Sequence, residues 1–253
     1  MKKFIVGLIA LAITSSCRSN DDTSNPSVAE KVPVLPTTIT AVNNNSQSQL
    51  NYFYIGDKLK EVTTSSGNRY KYIYNGDNII REELYKGGEL KMAKDFSYSN
   101  DKVASVKVTN ESVSPAVQYI KNIQYLDANH IKYDAFDDNG NIEFQIEAYF
   151  DNNGNLIKID LPEKLISTFD LKNNPLKNIR GYYKIYMVGE GINELEKINF
   201  PGNNNLLNIK LSSSMEVMIE NTISYNDKGY PTKNIQLDNT EALTTTIDYQ
   251  YND

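Results

Sequence analysis

The stretch IEAYFDNNGNLIKIDL (146–161) decides the fold. Ile146, Ala148 and Phe150 alternate with Glu147 and Tyr149, the period of two expected of a half-buried strand. Asp151 to Asn155 then form a polar turn, since Asn and Asp tolerate left-handed backbone and Gly154 adopts it freely. A second apolar strand, Leu156 to Leu161, returns. The unit is a β-hairpin closed by an aromatic anchor.

Eroded copies of this hairpin recur along the chain. The aromatics closing the first strand of each copy are Tyr54, Tyr74, Tyr98, Tyr125, Phe150, Phe169, Phe200, Tyr225 and Tyr251. Two residues earlier stand Tyr52, Tyr72, Phe96, Ile123, Ala148, Ser167, Ile198, Ile223 and Tyr249, apolar or aromatic except for Ser167. This stripe reads as core rather than as a ligand platform. Turn residues follow the anchors, as in Gly56-Asp57, Asn75-Gly76-Asp77 and Asn226 to Gly229. Short loops between successive strands imply an antiparallel meander, because parallel neighbours need long crossovers. The expectation is an all-β domain over 37–253. About 17 strands exceed what a twisted open sheet holds, so the sheet should be curled, half-wrapped or partly closed.

One segment breaks the pattern. In NPLKNIRGYYKIYM (174–187), Asn174 and Pro175 suit the start of a helix, and Leu176, Ile179, Tyr183, Tyr186 and Met187 follow at helical spacing. A short helix near 175–187 is predicted to cover an end or face of the sheet. Its aromatics Tyr182, Tyr183 and Tyr186 are the candidate ligand contacts, with plain core cover as the competing reading.

The N-terminus carries an address. Lys2 and Lys3 precede an apolar run from Phe4 to Ile13, too short to span a bilayer and suited to a signal peptide over 1–16. Cys17, the single cysteine, stands where cleavage is expected and has no second cysteine to pair with. ITSSC (13–17) resembles the lipobox of bacterial lipoproteins, which implies an acylated Cys17 at the mature N-terminus. Residues 17–36, polar and punctuated by Pro26, Pro33 and Pro36, read as a flexible tether. Ser19-Asn20-Asp21-Asp22 resembles the acidic signal that exports some Bacteroidota lipoproteins to the outer face of the outer membrane; the periplasmic face is the alternative. Removal of the leader leaves 24 basic against 32 acidic side chains, a net charge of −8. That balance excludes nucleic acid as a partner.

YFDNNGNLIKIDL, YIYNGDNIIREEL and SYNDKGYPTKNIQL resemble the Tyr-Asp hairpin repeats of RHS-type proteins. They are more similar to secreted Bacteroidota lipoproteins of unknown function that carry degenerate versions. The resemblance implies the hairpin geometry over roughly 50–253. Asn155 and Tyr230 stand where RHS repeats favour Arg, and nothing resembles the self-cleaving region of RHS shells.

No catalytic constellation emerges. His130, the only histidine, sits at a turn-to-strand junction, where Asp127 and Asp134 are its candidate partners. One His and one acylated Cys give no His/Cys zinc site and no nucleophilic triad. Asp137 to Asn141 and Asp151 to Asn155 superficially suggest calcium loops, but the EF-hand spacing fails, with Leu156 sixth and Pro162 twelfth from Asp151. No cofactor and no metal are expected. The sequence reading is a surface-anchored lipoprotein acting as a non-enzymatic binding or scaffold module, attached to the membrane at Cys17 and directed at a protein or glycan ligand. The alternative is a carboxylate-dependent, glycosidase-like surface hydrolase.

Overall fold

The computed structural model describes residues 32–44, 46–137, 139–189 and 202–252; the leader, Cys17, most of the tether, Ile198 and Phe200 lie outside them. Strands β1 (Pro36–Val42), β2 (Gln47–Ile55), β3 (Lys58–Thr64), β4 (Arg69–Asn75), β5 (Asn78–Lys86) and β6 (Glu89–Ser99) come first. They are followed by β7 (Lys102–Asn110), β8 (Val117–Asn122), β9 (Gln124–Tyr125), β10 (His130–Phe136), β11 (Ile142–Phe150), β12 (Leu156–Asp160) and β13 (Leu165–Phe169). After a short helix, α1 (Tyr182–Tyr186), come β14 (Leu206–Leu211), β15 (Val217–Tyr225), β16 (Pro231–Asp238) and β17 (Leu243–Tyr251).

The 17 strands form a single antiparallel meander. The last strand pairs with the first, Tyr249 opposite Ile39 and Ile247 opposite Ala41. β8 and β9 are one strand broken at Ile123, the first part pairing with β7 and the second with β10. The sheet is therefore a nearly closed barrel, thinnest at β9–β10, where only Tyr125–Ile131 and Gln124–Lys132 are in register. The curled, partly closed sheet expected from the sequence is thus observed, with the closure nearly complete.

Closure has a local cause that repeats. The register shifts beside Tyr54, Tyr74, Tyr98, Phe150, Phe169 and Tyr225, so that one extra residue on the returning strand opposes each anchor. Bulges of this kind bend a strand and increase its twist, which is what closes a sheet. Tyr85 and Phe136 carry the same device at the opposite end of the barrel, two further anchors outside the series read from the sequence. The tyrosine anchors also tie adjacent hairpins together. Tyr54, Tyr98 and Tyr251 hydroxyls donate to the backbone oxygens of Pro36, Ile79 and Pro231 at 2.8, 2.7 and 2.8 Å. Tyr74 accepts from the Leu59 N–H at 3.1 Å.

Side chains of the anchor-minus-two layer point into the barrel. Tyr52, Tyr72, Phe96, Ile123, Ala148, Ser167 and Tyr249 are all buried. Glu147 and Tyr149 face outward, as the alternation predicts. Both ends of the body meet at the anchor-turn end of the barrel: the Leu35 N–H donates to Asn252 Oδ1 at 2.7 Å, and Asn252 Nδ2 donates to Pro33 O at 3.0 Å. Pro33 to Pro36, which the sequence reading places in the tether, are thus fastened to the body.

Residues 174–189 plug that same end. Ile179, Tyr182, Ile185 and Val188 are at most 2% exposed and enter the common core. The helix is shorter than the predicted 175–187. Asn174 does start a turn, its Oδ1 accepting from the Leu176 N–H at 2.8 Å, but the α-helix begins only after Gly181. Gly181 is left-handed (φ 73°), and a Cβ there would stand 2.5 Å from the backbone oxygen of Asp77. The plug is pressed against the β4–β5 turn at this point, and the backbone must reverse before α1 can form.

Ion pairs latch the plug to the turns. Arg180 reaches Asp57 at 2.6 Å and Asp77 at 3.1 Å, and Lys184 pairs with Asp101. The Arg180 hydrogen bond holds the Asp57 carboxyl below its ordinary 3.8. A depressed folded-state value stabilises the folded protein above the unfolded pKa, and that contribution is lost as pH falls through the depressed value. Asp57→Asn is therefore expected to lower the urea midpoint at neutral pH and to converge on the parent as the pH falls through the depressed value. A difference that persists in acid would detach the effect from ionisation.

Candidate functional site

The repeat fills the barrel interior with apolar side chains, so its polar exceptions stand out. Across the sheet from the anchor-minus-two residues lie Val62, Val106, Ile159 and Ile209, but also Glu82 opposite Tyr72 and Asn234 opposite Ile223. Two residues further along the anchor strands, Leu50, Ile146, Leu165 and Ile247 are replaced in other copies by Lys94, Lys121 and Asn221. All five of these polar exceptions are buried. The sequence reading missed them because the signal appears only once the inward register of every copy is written out.

Two clusters result. On β5–β6 the Glu82 carboxylate lies 3.3 Å from Lys94 Nζ, at 3% and 9% side-chain exposure. Tyr72 adjoins this pair, and its ring packs edge-on against Tyr182 of the plug at 6.0 Å. On β15–β16 the Asn221 Oδ1 accepts from Asn234 Nδ2 at 2.8 Å and Gln236 Nε2 at 3.3 Å. Tyr249 and Tyr52 bridge the two clusters, since Tyr249 meets Asn234 and Tyr52 stands beside Tyr249, Tyr182 and Tyr186. Burial, above all, pushes the Tyr52 and Tyr72 hydroxyls well above 10.0, so both remain neutral donors. The Tyr52 and Tyr72 hydroxyls, Ser167 Oγ and Asn234 Oδ1 have no hydrogen-bond partner among the described residues. Together these groups make a polar belt across the barrel beneath the plug. Lys121 joins it from β8, its Nζ donating to Val188 O at 3.3 Å.

Toward the end opposite the plug the inward side chains are less deeply buried. Ala41, Leu84, Met92, Tyr119, Ile146 and Ile159 point inward there yet are only partly buried.

The predicted ligand aromatics belong to the plug. Tyr182 and Tyr186 are buried at 2% and 7% exposure, and the Tyr183 hydroxyl donates to Gly154 O. The Tyr182 and Tyr186 rings lie within the hydrophobic core, and Tyr183 is half-buried. The His130 ring is turned to neither the Asp127 nor the Asp134 carboxylate; Asp127 meets it only through its backbone N–H, which donates to His130 O at 3.4 Å. Its Nε2 lies 3.0 Å from Glu147 Oε2, and its ring stacks on Tyr149 at 4.0 Å, because β10 sets His130 directly opposite Tyr149. Tyr149 also donates to Glu147 at 3.0 Å and Asp160 at 3.4 Å; burial first, then the two carboxylates, push its hydroxyl up to about 12. This group of side chains stands on the outward face of the sheet, within a set of ion pairs to Lys132, Lys158 and Lys164. The two loops suggestive of calcium sites are hairpin turns. Asp151 Oδ1 accepts from the Asn153 and Asn155 N–H groups at 2.8 and 2.9 Å, and Asp137 repeats the pattern with Asn139 and Asn141 at 2.9 and 2.8 Å.

No family model and no curated protein matches the chain. Its fold has relatives among solved structures. A porin-like protein from Bacteroides uniformis superposes with a TM-score of 0.56 at 12% identity, covering 86% of this chain and 98% of that one. The likeness is one of fold. A porin-like protein from Bacteroides vulgatus aligns over 87% of this chain and 99% of its own, with 11% identity and a TM-score of 0.39.

Proposed function

We propose that this protein is a lipid-anchored surface module that binds or scaffolds a partner outside the membrane, without catalysis of its own. The observation that carries this reading is the outward face of the barrel. A membrane-spanning barrel turns an apolar band about 25 Å tall toward lipid, and Lys or Arg at its midplane costs about 2–4 kcal/mol. Here charges of alternating sign stand side by side across the strands. Glu61, Lys71 and Glu83 form one row, Arg81, Asp95 and Lys107 another, and Lys132 faces Glu147 as Lys233 faces Asp248. Arg81 lies 2.6 Å from Asp95 and 2.8 Å from Glu83. Such rows are stable toward water and costly toward lipid. With one end of the barrel filled by residues 174–189, the geometry does not favour a pore.

Membrane attachment then falls to Cys17, whose tether joins the body at Pro33, beside the plug. The hydrolase alternative needs two carboxylates in a concave pocket. Glu147 and Asp160, which share the Tyr149 hydroxyl, stand instead on the outer surface among lysines.

Protease added to intact cells tests the location. Degradation of the full-length protein, with a soluble periplasmic marker spared, is the expected outcome. Protection equal to that of the marker would place the protein on the periplasmic face and remove the surface reading.

A further inference from the structure

Asn75-Gly76, Asn139-Gly140 and Asn153-Gly154 each place an asparagine before a glycine in a hairpin turn. Such a pair can react with itself, because no side chain on the glycine hinders its nitrogen from closing a succinimide ring on the asparagine carboxamide. The reaction asks the fold for a free glycine N–H, a carboxamide free to turn, and room around the nitrogen.

Two of the pairs are clamped. The Gly140 N–H donates to Asp137 O at 3.0 Å, and the Gly154 N–H donates to Asp151 O at 2.9 Å. The N–H groups of Asn139 and Asn153 are held by the Asp137 and Asp151 carboxylates at 2.9 and 2.8 Å. Gly140 and Gly154 are half-buried, and Gly154 O also accepts from the Tyr183 hydroxyl. Asn75-Gly76 carries none of these restraints. Both residues are exposed, and neither the Asn75 carboxamide nor the Gly76 N–H is hydrogen-bonded among the described residues. A Cβ at Gly76 would meet no atom within 4 Å. Lys58 Nζ donates to Gly76 O at 2.7 Å, and a cation beside the turn favours the deprotonated nitrogen that attacks.

We propose that Asn75-Gly76 is a self-modification site, which deamidates in the folded protein ahead of the other two pairs and thereby loosens the plug. In the first step a bond forms between the Gly76 nitrogen and Asn75 Cγ, the carboxamide C–N bond breaks, and ammonia leaves with the displaced proton. Water, the co-reactant, then opens the ring at either carbonyl. One opening restores the main chain with aspartate at 75. The other routes the main chain through the former side chain and leaves isoaspartate, one carbon longer. That extra carbon enters the turn on which the plug rests. The Asp77 oxygen stands 2.5 Å from where a Cβ on Gly181 would lie, Asp77 holds Arg180 at 3.1 Å, and the Tyr74 hydroxyl donates to Arg180 O at 3.0 Å.

Ageing of the full chain at mildly alkaline pH, followed by peptide mapping with mass spectrometry, tests the site. Conversion at Asn75 should run about threefold or more ahead of Asn139 and Asn153, the scale of one hydrogen bond withheld from the reaction. In concentrated guanidinium, where the turns are lost, the three rates should draw level. Conversion at Asn75 no faster than at the others in the folded protein overturns the proposal, as does a ranking that survives unfolding. The urea midpoint of the aged parent should fall below that of fresh protein. Asn75→Gln, whose longer side chain closes the ring poorly, should hold its midpoint on ageing. Asn75→Asp, with the new charge but the ordinary main chain, should melt close to the fresh parent. An equal fall in aged Asn75→Gln, or a midpoint for Asn75→Asp as low as that of the aged parent, would overturn the link to the plug.

Discussion

Phe150→Ala should lower the stability of the protein by about 3–5 kcal/mol, the range for deleting a buried aromatic ring and leaving its cavity. Phe150 is 4% exposed and belongs to the continuous core shared by the barrel wall and the plug. It also closes the hairpin at 146–161, where its N–H donates to the Asn129 oxygen at 2.8 Å and its register shifts against Leu156. Removing the ring therefore loosens the barrel wall next to the plug. Since a domain of ordinary stability holds about 5–15 kcal/mol, the variant should be near unfolding at moderate temperature. Glu147→Ala, three residues earlier on the outward face, loses ion pairs in water and should move the urea midpoint only slightly. Equal shifts for the two substitutions would mean that the strand is buried on both faces.

Gly181→Ala is the second large effect, and it tests the plug. Left-handed backbone costs an ordinary residue about 1–2 kcal/mol. At Gly181 the added methyl also meets the Asp77 backbone oxygen at 2.5 Å, a contact that a side-chain rotation cannot relieve. The expected loss is about 3 kcal/mol or more in total, with steric overlap added to the conformational strain. The displaced turn carries Arg180 with it, so the variant should also lose the pH-dependent stabilisation that Asp57 gives the parent. Glycine replacements elsewhere offer a control. A Cβ at Gly67 (φ 84°) meets no atom within 4 Å, so Gly67→Ala bears the backbone strain alone. If Gly181→Ala is no worse than Gly67→Ala in chemical denaturation, the plug does not press on the β4–β5 turn as described.

The contrast between these residues shows what the sequence makes legible. Phe150, Tyr52 and Tyr72 could be assigned to the interior from alternation alone, because a strand's period of two leaves one free choice of face. The turn chemistry of Asp151 to Asn155 was equally local. Closure was not, since it depends on Tyr249 meeting Ile39 across the length of the chain, and on bulges whose extra residue looks like any other in a strand. The helical spacing from Leu176 to Met187 held in part as burial: Leu176, Ile179 and Tyr186 are buried, but Tyr183 and Met187 are half-buried and Tyr182, Ile185 and Val188 are buried in their stead. It overstated the helix because Gly181 is governed by the Asp77 carbonyl, a tertiary contact with no local trace. His130 was read against Asp127 and Asp134, its neighbours in sequence, whereas the strand pairing of β10 with β11 gave it Glu147. Lys94, Asn221 and Asn234 required the register of the whole barrel before their departure from the repeat could be seen.

The central claim is that the barrel is a water-facing body held to the membrane by lipid at Cys17. Fractionation of cells expressing the parent and Cys17→Ser tests it most directly. The account predicts that the parent partitions with membranes and into detergent, while Cys17→Ser is recovered in the aqueous fraction with an unchanged urea midpoint. Retention of folded Cys17→Ser in the membrane fraction after high-salt and carbonate washing would contradict it, and would mean that the sheet itself enters the bilayer.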